Sequence, residues 1–431
     1  GINGNNSLRY LEFREGAFNF QTSQQNHQKS YDTIPSNFYC KNYFKSRLEW
    51  WYMIKNEYRN LLKHIYWGSF DSGVIFIFLS LMIWDDTENM VTVALAFSIP
   101  IVIDTVIDYF FSSFSDHHNR KKLFIIGNIG SAIALSFYGF AQSIYILYGL
   151  IFIKSLFAKL YQSSLDPYIR ENIKEDLYMD FLSQRNIQMS VGASIGGFAL
   201  MMLYGFLQNI ALIFVVSGLI ELYSTVYLFK LKDNKLQRRK EKEDAIDLEW
   251  IKYITFIYTV EGFGIALIVN RMLIYIHEFQ GIPLGNVGFV FFVVYGVSSV
   301  MAARIYKRFN KISLKAMLIT SFLLQAFLLI IFIQINQLFF IIIVWFIFEL
   351  VANIADIYAS DKINSSLFTE IGKRLSKFRI MIAIGNVLGQ FIVSRIWDQF
   401  GMSMSFYFSS IILILLSFVI LLKNEKHFEK N

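Results

Sequence analysis

Along this chain, long apolar runs alternate with short polar stretches. The runs are Leu61–Trp84, Met90–Phe114, Leu123–Ala141, Ile144–Leu165, Phe181–Phe206 and Ile210–Leu231, then Trp250–Ile276, Gly285–Ala303, Leu314–Ile335, Leu338–Ile357, Phe378–Ile396 and Ser403–Leu422. A helix needs roughly 20 apolar residues to cross the hydrocarbon core of a bilayer. Lipid offers no partner to backbone N–H and C=O groups, so each run must satisfy them internally as a helix. The pattern predicts an all-α polytopic membrane protein with twelve transmembrane helices.

The polar stretches carry charge on alternate sides. Lys41, Lys45, Arg47, Lys55, Arg59 and Lys63 lead into the first run. Arg120–Lys122 follow the second, and Lys230, Lys232, Lys235, Arg238, Arg239, Lys240 and Lys242 follow the sixth. Lys307, Arg308 and Lys311 follow the eighth, and Lys362, Lys373, Arg374 and Lys377 the tenth. The opposite loops, such as Asp85–Glu88, Gln142–Ser143 and Asn336–Gln337, have no Lys or Arg. The positive-inside rule then places both termini in the cytoplasm of a cell whose cytoplasmic membrane the chain spans.

Composition agrees: 55% of the 431 residues are hydrophobic, 17% are aromatic, and only four are proline. The net charge of +7 does not point to nucleic acid, because the basic residues lie in clusters between apolar runs. Cys40 stands alone, which excludes a disulfide framework or a CxxC metal site. The histidines show no zinc-binding spacing. Residues 1–60 lack an apolar signal segment and are expected to be a cytoplasmic N-terminal segment. Within it, 41–60 mixes Lys and Arg with Trp50, Trp51 and Tyr52, which suits either an interfacial helix or plain flanking charge.

The longest charged stretch between runs, KLKDNKLQRRKEKEDAID, divides the chain into six helices and six. The expected units are bundles over 61–231 and 250–423, a linker over 232–249 and a tail over 424–431. The halves echo one another. Asn119-Arg-Lys-Lys-Leu123 recurs as Asn310-Lys-Ile-Ser-Leu314, and the helix-packing glycines Gly192 and Gly196 recur as Gly385 and Gly389. Two echoes at nearly one offset favour a duplicated, pseudo-symmetric six-helix unit.

The stretch SSFSDHHNRKK after the second run carries a family likeness. Ser112, Asp116, His117, Asn119, Arg120 and Lys121 fill the places of the loop motif Gly-x-x-x-Asp-Arg-x-Gly-Arg-Arg/Lys, so the chain resembles the major facilitator superfamily. Ser in place of Gly still permits close helix approach. Asn119 replaces the second Gly, and Asn tolerates the left-handed turn expected there. The resemblance implies a conformational latch in which Asp116 meets the N-terminal end of helix 11, with Arg120 as its cationic neighbour. In helix 4, Lys154-Ser-Leu-Phe-Ala158 keeps the cation and a small residue of a second motif. In helix 5, Gly192-Ala193-Ser194-Ile195-Gly196-Gly197 resembles the Gly-Pro-x-x-Gly-Gly of proton antiporters, with Ala for Pro. Small-residue stripes are also common wherever membrane helices pack.

Ionisable residues inside the bilayer are costly and mark function or pairing. Asp71 lies about ten residues into helix 1, or ~15 Å at ~1.5 Å per residue. Asp104, Asp108, Ser112 and Asp116 step by four along helix 2, one polar stripe. Lys154 and Lys159 of helix 4 can answer these acids. The second half offers Glu261 in helix 7 and Glu349, Asn353 and Asp356 on one face of helix 10. Glu221 in helix 6 stands isolated in sequence.

Taken together, these residues predict a secondary transporter that works by alternating access. The reading is proton-coupled efflux of an amphipathic compound or peptide, with Asp71, Lys154, Glu261, Glu349 and Asn353 at the coupling site and substrate cavity. It implies no cofactor, metal or nucleic acid. The expected partners are substrate, protons and lipid, around a monomer. A nutrient importer or lipid flippase of the same fold stays open. So do two other classes, an intramembrane lipid-modifying enzyme and a transport-dead sensor.

Overall fold

A computed structural model describes residues 56–173, 175–231, 248–309, 312–365 and 371–423. The expected interfacial helix over 41–60 falls almost wholly outside these residues, as do most of the 232–249 linker and the tail. All the spans are helical. In chain order, α1 covers 56–87, α2 Met90–His117, α3 Arg120–Ser136, α4 Ile144–Asn172, α5 Glu175–Leu207 and α6 Ile210–Phe229. Then α7 covers 248–279, α8 284–309, α9 Leu314–Phe332, α10 Leu338–Ser365, α11 Ile371–Phe400 and α12 Met402–Leu422. Among the described residues eleven helices are long and apolar enough to cross a membrane. The twelfth is α8, whose apolar stretch Asn286–Ala302 is shorter.

The polar residues between runs start the helices. Asn89, Asn119, Ser143, Asn209 and Ser313 each accept a hydrogen bond from a backbone N–H three residues on, at 3.0, 3.1, 3.4, 3.2 and 3.2 Å. Such caps satisfy donors that the first helical turn leaves open. Asn119 is therefore not the left-handed turn residue that its place in the motif suggests. Its backbone is extended, φ −67° and ψ 105°, as an N-cap requires.

The two halves are built alike. Helix α1 packs on α5 and α6, α3 on α4 and α6, and α2 on α4. In the second half α7 packs on α11 and α12, α9 on α10 and α12, and α8 on α10. A Cβ added at Gly192 would lie 2.3 Å from the Tyr66 carbonyl, and one at Gly196 2.6 Å from Phe70 Cα. One at Gly385 would lie 2.2 Å from the Thr259 carbonyl, and one at Gly389 2.4 Å from the Phe263 carbonyl. All four residues of the first contact map onto the second by one shift of 193 positions (259 − 66). Backbones can approach this closely only where the side chain is a hydrogen.

The helix ends follow the same duplication. Lys121 at the start of α3 donates to the carbonyls of Phe229 and Leu231, closing the C-terminus of α6. Lys315 at the start of α9 donates to Leu421 and Lys423, closing α12. A cation there complements the negative end of the helix dipole. The match corrects the sequence echo: the counterpart of Asn119 is Ser313, not Asn310, and the shift there is 194 (313 − 119).

Two helices depart from expectation. The α7 run was expected to be continuous, yet it breaks between Gly264 and Ile268, where Leu267 takes a left-handed φ of 54°. Arg271, wholly buried, repairs the break. Its guanidinium donates to the carbonyls of Ala266 (3.1 Å) and Ser405 (2.8 Å) and to Ser409 Oγ (2.9 Å), tying α7 to α12. In α1, a wide π-turn over Ile75–Leu79 follows the segment Phe70–Val74.

The halves meet along α2 with α11 and α5 with α8. Four hydrogen bonds between the halves lie toward the end away from the basic loops. Asp398 of α11 accepts from the backbone N–H of Met90 (2.8 Å) and Val91 (3.2 Å). Ser98 donates to Gln390 at 2.7 Å, and Asn270 donates to Ser80 at 2.6 Å. Trp84, Trp397 and Phe279 form an edge-to-face aromatic chain beside them.

Candidate functional site

Both halves bury charged side chains, and the expected residues Asp71, Lys154 and Glu349 lie in two places. In the first, Lys154 Nζ of α4 donates to Asp71 Oδ2 of α1 at 2.9 Å, and both side chains are more than nine-tenths buried. Ser72 donates to Asp71 Oδ1 at 3.1 Å and fixes the carboxylate. This is one of the several pairings open in the sequence. Asp104 and Lys159 are also buried, on α2 and α4. Asp108 lies on α2, and nothing is described of its side chain.

Glu221 belongs to this centre, although its sequence position does not show it. Its carboxyl lies beside Ser131 of α3 and within electrostatic reach of both Asp71 and Lys154. The other carboxylate oxygen, Oε2, is buried without a hydrogen-bond partner among the described residues. The Glu221 backbone carbonyl meanwhile takes a hydrogen bond from Asn128 at 3.2 Å. Two acids thus share the field of Lys154.

The second centre lies on α10 and α8. Glu349 Oε1 accepts from Tyr295 Oη at 3.1 Å and from Trp345 Nε1 at 3.3 Å. The carboxyl has no ion-pair partner among the described residues. Trp345 is fully buried, and Phe291 stacks on Tyr295 with centroids 4.6 Å apart. Asn353 turns its amide back to the Glu349 carbonyl at 2.7 Å, so it braces the helix one turn below. Glu261 is buried on α7 one turn before the break, and its backbone carbonyl accepts from Ile265 N at 2.9 Å.

At the basic end, Ser112 and Asp116 lie in the last turns of α2, and their side chains are outside the description. Arg120 forms an ion pair with Glu171 at the end of α4. Lys121 is engaged with α6 as described above. Arg185 of α5 pairs with Asp166 of α4 at 2.9 Å.

With this geometry in place, known proteins give the class. The sequence pattern of the Major Facilitator Superfamily matches residues 68–367. The chain belongs to that family, and it is a multi-pass membrane transporter. No curated protein matches it in sequence. Solved structures share the fold at low identity. A nucleoside transporter, NupG, superposes with a TM-score of 0.68 at 13% identity, over 85% of this chain and 98% of that one. A POT family transporter in complex with a thioalcohol-conjugated peptide gives 0.70 at 12%, over 86% and 96%. A bacterial homolog of the human lysosomal transporter Spinster, inward-facing and unoccupied, gives 0.67 at 12%, over 86% and 97%.

Proposed function

We propose that this transporter is a proton-coupled exporter of an amphipathic cation or cation-bearing peptide, working by alternating access between the two bundles. The observation that carries the reading is Glu349, a buried carboxyl held by two neutral donors and no ion-pair partner among the described residues. Such a group is neutralised either by a proton or by a positively charged guest. Exchange of one for the other on the same oxygen atoms is what couples them. The rings of Tyr295, Trp345 and Phe291 around it suit a cation that carries an apolar body.

The Asp71–Lys154 pair supplies the second element of the cycle. Protonating Asp71 releases Lys154, which then finds its counter-charge in Glu221. Helix α1 thereby changes its hold on α4 within one half. Asp116 and Arg120 serve as the latch at the cytoplasmic end, and both termini are cytoplasmic. The joined far ends of the bundles correspond to a state open to the cytoplasm. The glycine run Gly192–Gly197 supports export over import.

Proteoliposomes with an imposed pH gradient test this. Fluorescent amphipathic cations should move only against an opposing flow of protons down their gradient, and Asp71→Asn should uncouple the two fluxes. Glu349→Gln should lose cation-driven proton movement altogether. Coupled transport that persists in Glu349→Gln would overturn the reading.

A further inference from the structure

The far end of the molecule carries a group of side chains that the transport cycle above does not use. Asp85 ends α1, in the first half, and His277 and Glu278 lie near the end of α7, in the second. One ligand atom from each falls within 4.8 Å of the others. We propose that these three residues form a binding site for a divalent transition-metal ion of the zinc class, and that the bound ion ties α1 to α7 and holds the far ends of the bundles together.

The donor set is the first argument. His277 Nδ1 lies 2.9 Å from the Ile282 carbonyl. A carbonyl can only accept, so Nδ1 carries the proton and Nε2 presents its lone pair. A backbone carbonyl behind a histidine is the usual way a metal-binding ring is oriented. Nε2 in turn lies 3.8 Å from Glu278 Oε1. One imidazole nitrogen and two carboxylates match zinc, whose catalytic-type sites take three protein ligands and leave one position to water. The presence of nitrogen argues against calcium or magnesium, which prefer oxygen alone.

The charge balance is the second argument. Asp85 and Glu278 bring carboxylate oxygens within 4.8 Å of one another across the boundary between the halves, with Asp86 next in sequence. The ring facing Asp85 is that of His277, and the loop Asp85–Glu88 has no Lys or Arg. Like charges brought together this way repel unless a proton or a cation sits between them. The chain path is the third. His277 and Glu278 sit inside a π-turn over Tyr275–Phe279, whose wider turn narrows the angle between neighbouring side chains. Adjacent residues can therefore both face Asp85.

The surroundings give the ion its consequence. The site lies among the contacts that already join the halves there, Asn270 to Ser80 and the aromatic chain through Phe279 and Trp397. A ligand shared by both halves binds one conformation better than the other, and shifts the population by that difference.

The test needs no transport substrate. Full-length protein in nanodiscs is titrated with zinc chloride alone, and separately with magnesium chloride, by calorimetry. Spin labels at Glu88→Cys and Gly281→Cys, in a Cys40→Ser background, report the distance between the far ends. Zinc should bind at about one ion per chain and narrow the distance distribution, and magnesium should do neither. Asp85→Asn and His277→Ala each should weaken zinc binding by more than about tenfold, the effect expected when a ligand or its support is lost. Both positions are at the surface end of their helices, and elution as a single monodisperse species shows that the variants are folded. No zinc binding, equal binding of magnesium, or unchanged affinity in His277→Ala would each overturn the proposal. So would zinc binding that leaves the distance unchanged.

Discussion

Asp398, in the last turn of α11, holds the first backbone N–H of α2, that of Met90, at 2.8 Å, and reaches Val91 as well. An acid from one half thus sits on the positive end of a helix from the other. Asp398→Ala leaves two donors at that helix start open. The expected outcome is a shift toward far-end opening, seen as faster labelling of a cysteine placed at Val91. The loss of the contact is worth about 1 kcal/mol in a folding or conformational equilibrium.

The Asp71–Lys154 pair makes a sharper prediction. Lys154→Met strands two buried acids, and removing one partner of such a pair costs roughly 3–5 kcal/mol. Asp71→Asn leaves Lys154 with Glu221 and should cost less. Thermal unfolding in detergent should show Lys154→Met markedly destabilised, and the double variant partly restored because one acid fewer is left unanswered. Additive losses in the double variant would mean that the two charges do not answer each other.

Glycine substitutions separate close approach from open space. Gly192→Ala and Gly385→Ala place a Cβ about 2.3 and 2.2 Å from a facing backbone carbonyl, so helices α1 and α5, or α7 and α11, must part. Gly149 and Gly205 have nothing within 4 Å of an added Cβ. Their alanine variants should be neutral or stabilising by up to ~1 kcal/mol, because alanine favours helix. Melting temperatures of the four variants check this directly.

Lys121 and Lys315 occupy matching places, so their removal should have matching effects. Each lysine-to-methionine change leaves the last carbonyls of α6 or α12 without a cation, a loss of about 0.3–1 kcal/mol. Hydrogen exchange should rise at the end of α6 in Lys121→Met and at the end of α12 in Lys315→Met, each without the other.

How far the sequence reveals this architecture depends on what kind of signal a feature leaves. The helices were legible because a lipid-crossing run must be long and apolar, and Asp71 and Lys154 because charge stands out inside such a run. Depth, counted in residues, left Asp71, Asp104 and Asp108 all open as partners of Lys154 or Lys159. Glu221 was equally visible as a charge, yet its role depends on how α6 is turned against α3 and α4, which spacing alone does not give. The break in α7 left no mark, since Ile265, Ala266 and Leu267 read as ordinary span residues and no proline lies among them. Its only trace was Arg271, a cation too deep to serve as a flank. Asn119 was misread because one residue type suits both a left-handed turn and a helix cap, and only the backbone tells which. Nothing in the spacing pairs His277 and Glu278 with Asp85, which lies in the other half.

The twin glycine contacts also bear on how the chain is made. The first-half partners of α1, on α5 and α6, are translated before α7 begins. The first bundle can close on itself in the membrane while the second is still being translated. The late-arriving helices then dock against a finished surface rather than a crowd of unpaired neighbours.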